Sequence, residues 1–157
     1  MKSIAIFVDV QNIYYTTRQV YQRQFNYRKF WQQINSKGKI VSAIAYATHR
    51  NDDKQHKFQT ALKHIGFNIK LKPYIQRSDG SAKGDWDVGI TIDIMETAQS
   101  VDTVVLLSGD GDFDLLLQKI KKDYAVSAEV YGVPALTANS LIDSASVYHP
   151  IEEDLLL

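Results

Sequence analysis

The sequence predicts an α/β fold with a mainly parallel sheet. Three observations carry that expectation. Residues 4–8 and 103–107 are continuous apolar runs rich in β-branched side chains, which suits strands covered on both faces. Strand-like runs alternate with helix-like periodicity along the whole chain, and this implies right-handed crossovers between parallel strands. The second apolar run stops at Ser108-Gly109-Asp110-Gly111-Asp112-Phe113, where glycines turn the backbone and carboxylates project from a strand end. Open α/β sheets place their ligands at such ends.

The elements follow in order. Residues 3–8 form a buried strand ending at Asp9. Asn12 begins a helix of roughly two turns, with Ile13 and Val20 inward and Arg18 and Arg23 outward. Asn26 caps a helix over 27–34, closed by Gly38. Residues 39–48 form a second strand, followed by His49 and Arg50. Asp52 or Asp53 caps a helix carrying Phe58, Leu62 and Ile65, which Gly66 ends. Residues 67–74 alternate with Lys70 and Lys72, as a strand near an edge does. A polar loop over 76–84 holds Arg77 and Lys83. A helix starts near Asp85, with Val88, Ile92 and Met95 inward, and ends near Gln99. After the strand at 103–107, Leu115, Leu116, Leu117 and Ile120 are spaced for a helix reaching about Lys122. Residues 125–131 form a strand, 136–145 a helix, and 147–151 a short edge strand stopped by Pro150. The acidic tail frays, or docks through Leu155, Leu156 and Leu157.

A chain of 157 residues suits one domain with a real core. The absence of cysteine excludes disulfides, thiolate zinc and thiol catalysis. No apolar run reaches membrane-spanning length, and the first one is stopped by Asp9 before it makes a signal segment. A cytoplasmic location is expected. The formal net charge of zero hides an asymmetry: residues 1–78 hold 14 Lys and Arg against three acids, and residues 79–157 hold four Lys against 15 acids. Such asymmetry fits an anionic partner for the basic part, or mutual neutralisation within one domain.

The acids have a pattern. If residues 3–8 lie beside 103–107, with strand order reversing between them, Asp9 meets Asp110 and Asp112 at the switch point. Asp87, in the first turn of its helix, brings a third segment. Carboxylates from three segments suit hard cations such as Mg2+ or Mn2+. Asn12 adds a neutral oxygen, and Ser108 a hydroxyl for a carboxylate or phosphate. Asp93 lies six residues beyond Asp87, about 120° around the helix axis, and either joins the site or serves packing. The plainer alternative is that these aspartates cap helices. Other chemistries lack their motifs. No glycine-rich phosphate loop follows the first strand, Gln11 stands where an aspartyl-phosphatase needs its second Asp, and the four histidines lack zinc spacing. Around the same edge lie Tyr14, Tyr15 and Arg18, then Arg50 and Lys54, then Tyr74, Arg77 and Lys83. Cations for phosphates and aromatic faces for bases are what single-stranded nucleic acid needs.

Three stretches together resemble the NYN domain family, the LabA-like branch of the PIN-like nuclease superfamily. They are Ile6-Phe7-Val8-Asp9-Val10-Gln11-Asn12, Lys83-Gly84-Asp85-Trp86-Asp87-Val88 with Asp93 further on, and Ser108-Gly109-Asp110-Gly111-Asp112-Phe113. The resemblance implies a three-layer, Rossmann-like α/β/α fold with core strand order 3-2-1-4-5. It also implies a Mg2+- or Mn2+-dependent ribonuclease site. By position, Asp9, Asp87, Asp110 and Asp112 are its acidic, metal-holding set, Asn12 and Ser108 support it, and Asp93 matches a recurrent second acid of the middle motif. The preferred expectation is a metal-dependent ribonuclease with RNA held by Arg18, Arg50, Arg77 and Lys83. The alternative is a non-catalytic RNA-binding or regulatory module that keeps the metal site.

Overall fold

The structure, a computed structural model, describes residues 1–49, 53–73, 75–76, 82–83 and 85–157. The chain runs β1 (Ser3–Asp9), α1 (Val10–Tyr21), α2 (Tyr27–Asn35), β2 (Lys39–His49), α3 (Asp53–Ile65), β3 (Asn68–Pro73), β4 (Ile75–Gln76), β5 (Ala82–Lys83), α4 (Asp87–Ala98), β6 (Thr103–Leu107), α5 (Asp114–Tyr124), β7 (Ser127–Gly132), α6 (Asn139–Ser144) and β8 (Val147–Pro150). Six strands form one parallel sheet in the order β3-β2-β1-β6-β7-β8. That is the expected core order, with β8 added at the far edge.

β1 is central because nothing else suits its sequence. Residues 4–9 are all buried, which requires a strand paired on both edges and covered on both faces. Alternate side chains feed two cores. Ile4, Ile6 and Val8 pack with residues of α1, α2 and α3, including Ile13, Phe30 and Leu62. Ala5 and Phe7 pack on the other side with residues of α4, α5 and α6, including Ile94, Leu117 and Leu141. The result is the three-layer sandwich.

Several local expectations hold. The Asn26 side chain accepts a hydrogen bond from the Lys29 amide and caps α2. Gly66, at φ +138°, ends α3 in a conformation that other residues rarely adopt. The tail docks: Leu155 and Leu156 are buried, and Leu156 bridges to Phe25.

Others need correction. α1 starts at Val10 directly from the strand, not at Asn12, and Val20 is exposed rather than inward. Thr16 and Thr17 fill the buried positions instead. Their hydroxyls donate to the Asn12 and Ile13 carbonyls one turn back, each at 2.7 Å, which satisfies them inside the core. On α4 the expected face holds only at Met95, which packs against the core. Val88 and Ile92 are 72% and 51% exposed, while Ile90, Ile94 and Ala98 are buried. Trp86 sets that rotation, because its indole N–H donates to the Ala47 carbonyl at 2.9 Å and its ring packs on Tyr46. The loop at 76–84 contributes to a two-stranded antiparallel ribbon, β4 with β5. The helix expected over 136–145 is a short turn at Pro134–Leu136 followed by α6. Among the described residues no helix is long and apolar enough to cross a membrane.

Candidate metal centre

β1 and β6 end side by side, with Val8 paired to Leu107. The next residue of each strand is polar, so Asp9 and Ser108 meet at the carboxyl edge of the sheet. The buried Ser108 hydroxyl donates to Asp9 Oδ2 at 3.0 Å and accepts from the Asp110 amide at 3.2 Å. One hydroxyl thus ties a buried carboxylate to the acidic loop. Asn12, in the first turn of α1, holds the same loop from the other side: its Oδ1 accepts from the Gly109 amide at 2.9 Å. A side chain at 109 has no room, since a Cβ there lies 2.7 Å from the Leu136 carbonyl oxygen.

Asp110 caps the turn Gly111–Phe113 by accepting from the Asp112 amide at 2.9 Å. The cap and the site are therefore one feature, and the two readings of these aspartates are not exclusive. Asp87 opens α4, with its amide bonded to Asp85 Oδ1 at 3.2 Å. These backbone constraints bring carboxylate oxygens of Asp87, Asp110 and Asp112 within 4.8 Å of one another.

The electrostatics of the cluster are unfavourable without a counter-charge. Burial pushes the Asp9 carboxyl up from 3.8 to about 6, against the Ser108 hydrogen bond and the Asn12 backbone bond, with Asp110 and Asp85 adding to the rise. Asp87 is pushed up to about 7, first by burial and then by the charge of Asp110 and a hydrogen bond with it. Like charges in a low-dielectric site raise each other's pKa. Among the described residues no Lys or Arg forms an ion pair with Asp9, Asp87, Asp110 or Asp112. The donor set fits a hard divalent cation, which binds through carboxylate oxygens and tolerates ligands from several segments.

Not every candidate joins this group. Asp9 stands next to it, engaged by Ser108, and is not one of the three oxygens within 4.8 Å. Asp93 is elsewhere: its Oδ2 accepts from the Tyr46 hydroxyl and from Lys70 Nζ, both at 2.7 Å. Arg18 lies on the exposed side of α1, where it donates to the Tyr14 hydroxyl at 2.7 Å and sits 5.8 Å from that ring's centre. Lys83 belongs to the β4–β5 ribbon. Arg50 and Arg77, with Asp52, Tyr74 and Gly84, lie outside the described residues. Sequence reasoning took Asp85 for a helix start and gave Trp86 no part. Asp85 adds charge against both Asp9 and Asp87, and Trp86 anchors the helix end that carries Asp87. The Asp-x-Asp spacing at 85–87 was the available signal.

Comparison with known proteins shows the family of the chain. The chain is 29% identical over 126 residues to the "low amplitude and bright protein LabA" of Synechococcus elongatus, which covers 75% of this chain and 67% of that one. A crystal structure of a protein of unknown function from Vibrio parahaemolyticus superposes with a TM-score of 0.95 at 53% identity, over 99% of this chain and 96% of the other. The sequence model of the NYN domain matches residues 3–152. With that match spanning the sheet and the aspartate cluster, the chain belongs to the NYN domain family, within the PIN-like nuclease superfamily.

Proposed function

We propose that this protein is a metal-dependent ribonuclease. Asp87, Asp110 and Asp112, with Asp9 beside them, hold Mg2+ or Mn2+. The observation that carries the reading is the convergence of three carboxylates within 4.8 Å at the switch point of a parallel sheet, in a family allied to nucleases. A cation in such a site activates water and stabilises the charge that develops on a phosphodiester during hydrolysis.

The chain's own residues divide the remaining work. Asp110 and Asp112 present oxygens from a turn that their own hydrogen bond makes rigid. Asp87 presents another from the start of α4. Ser108 holds Asp9 in orientation, and Asn12 holds the Gly109 backbone. Asp9, held beside the cluster by Ser108, adds a further carboxylate whose negative charge favours a bound cation. Trp86 and Asn12 are positioning residues on this account.

The test is degradation of a fluorescent RNA with Mn2+ and with EDTA, by wild type and Asp110→Asn. Asn preserves the cap and removes the charge, so the variant folds and loses cleavage by orders of magnitude. Wild type without metal-dependent cleavage of any single-stranded or structured RNA moves the assignment to a binding module.

A further inference from the structure

α1 and α3 do not close on each other. Between them runs an open groove of about 1110 Å3, bordered at one end by Val10, Gln11 and Thr48 and at the other by Gln22, Gln24 and Leu157. The first end adjoins Asp9 and so the aspartate cluster. Five cations line it: Arg18, Arg23, Arg28, Lys54 and Lys57. No Asp or Glu among the described residues does. Arg23 is committed to the fold, since it pairs with Glu153 and donates to the Leu157 carbonyl. Among the described residues the other four have no carboxylate partner, and all four are exposed. Tyr14 and Tyr15, 46% and 50% exposed with their rings edge to face, stand on the groove's border.

We propose that the α1–α3 groove is a track for single-stranded RNA, holding the strand that flanks the phosphodiester at the aspartate cluster. The inference rests on the nuclease reading for the strand's destination but not for its binding. Charge decides the class of ligand. Four cations without a carboxylate partner among the described residues attract a polyanion, and a cluster of acids at the same edge repels one unless a cation is bound. The volume lies at the upper end of the range for small-molecule sites, about 1,000 Å3, and leaves room for a larger occupant. α1 alone is about 18 Å long at 1.5 Å per residue, so the occupant is extended. The two tyrosines distinguish a nucleic acid from an acidic peptide, since half-exposed rings are stacking platforms for unpaired bases.

The test uses the full chain in EDTA, so that binding is read without turnover. The probe is a fluorescein-labelled, ~12-nucleotide unstructured RNA, within the known range of single-strand site sizes. Wild type binds it with a salt-dependent affinity. Arg28→Ala/Lys57→Ala, two exposed positions outside the cluster, makes the log–log salt slope shallower by about 1.4, at ~0.7 per lost contact, and weakens binding about 20-fold at ~0.1 M salt. Tyr15→Ala, which removes a half-exposed ring without removing a partner of Arg18, weakens binding and leaves the slope unchanged, as a stacking contact requires. Wild-type affinity and slope in the double variant overturn the track and leave the nuclease reading standing. Wild type that binds this RNA in EDTA yet cleaves none with Mn2+ overturns the nuclease reading and supports the track. Wild type that ignores the RNA but binds polyglutamate assigns the groove to an acidic partner and overturns the proposal.

Discussion

Asn12 Oδ1 lies 2.9 Å from the Gly109 amide, although 97 residues separate the two. This bond joins the first turn of α1 to the loop that carries Asp110. Asn12→Ala leaves a part-buried N–H without its acceptor, which costs about 1–3 kcal/mol. At roughly 2–4 °C per kcal/mol for a chain of this size, the expected drop in melting temperature is several degrees. RNA cleavage should fall with it, through the maximal rate more than through KM, because the loop rather than the substrate loses its support. An unchanged melting point would remove Asn12 from the positioning role.

The raised carboxyls give metal-free protein an unusual pH dependence. Asp9 titrates near 3.8 when unfolded and about 6 when folded, so its stabilising share is complete below about pH 4 and is lost as pH rises through about 6. Asp87 behaves likewise, with loss through about 7. Asp102 and Glu129, whose pKa values are lowered by bonds to Ser3 and His149, contribute in the opposite sense and only below their usual range. In EDTA the melting temperature should therefore decline between about pH 4 and pH 7. Asp9 is 9% exposed, and its share is on the order of 3 kcal/mol. Asp9→Asn should flatten much of the decline. A wild-type melting point indifferent to pH in this window would contradict the arrangement.

Charge removal and metal addition should compensate one another. Asp87→Asn relieves repulsion from Asp110, so in EDTA at about pH 8 this variant should melt higher than wild type. Mn2+ should raise the wild-type melting point, because a ligand of the folded state alone stabilises it, and should raise the variant's less. Four melting curves settle the matter. If Asp87→Asn melts lower in EDTA and Mn2+ leaves wild type unmoved, these residues are only helix caps.

Asp93 should prove structural. Asp93→Asn keeps an acceptor for the Tyr46 hydroxyl but loses the ion pair with Lys70, whose side chain is 46% exposed. Such pairs contribute about 0–1 kcal/mol. The expected result is a small stability change and wild-type affinity for Mn2+ by calorimetry. A clear loss of affinity would place Asp93 in the metal site after all.

The framework was legible in the sequence because it follows from burial. The runs in β1 and β6 are apolar on both faces, as adjacent central strands require, so the approach of Asp9 to the 108–113 loop at the edge could be read in advance, while its bond to Ser108 could not. α4 was misread for an equally physical reason. It carries Val88, Ile92 and Met95 on one stripe and Ile90, Ile94 and Ala98 on another, and periodicity cannot choose between two apolar faces. A hydrogen bond from Trp86 to Ala47 makes the choice, and that contact spans a register no local pattern contains. The partner of Asp93 was hidden for the same reason: Lys70 reaches it from β3, through the order of the sheet. β4 and β5, two residues each, are too short to show any alternation.

The central place of β1 has a consequence for how the chain is made. Synthesis delivers this strand before the other strands of the sheet, yet its β6 neighbour follows only after a long interval: Ser3 bonds to Asp102, 99 residues later. Until then the most water-averse stretch of the molecule has one free edge and a half-built covering. Long-range parallel pairing of this kind folds slowly, and an apolar strand with an open edge is what aggregation and chaperones both recognise. Asp9, which stands beside the aspartate cluster, thus ends the strand whose pairing is completed only when β6 has been made, and delay in that pairing exposes the chain to misfolding.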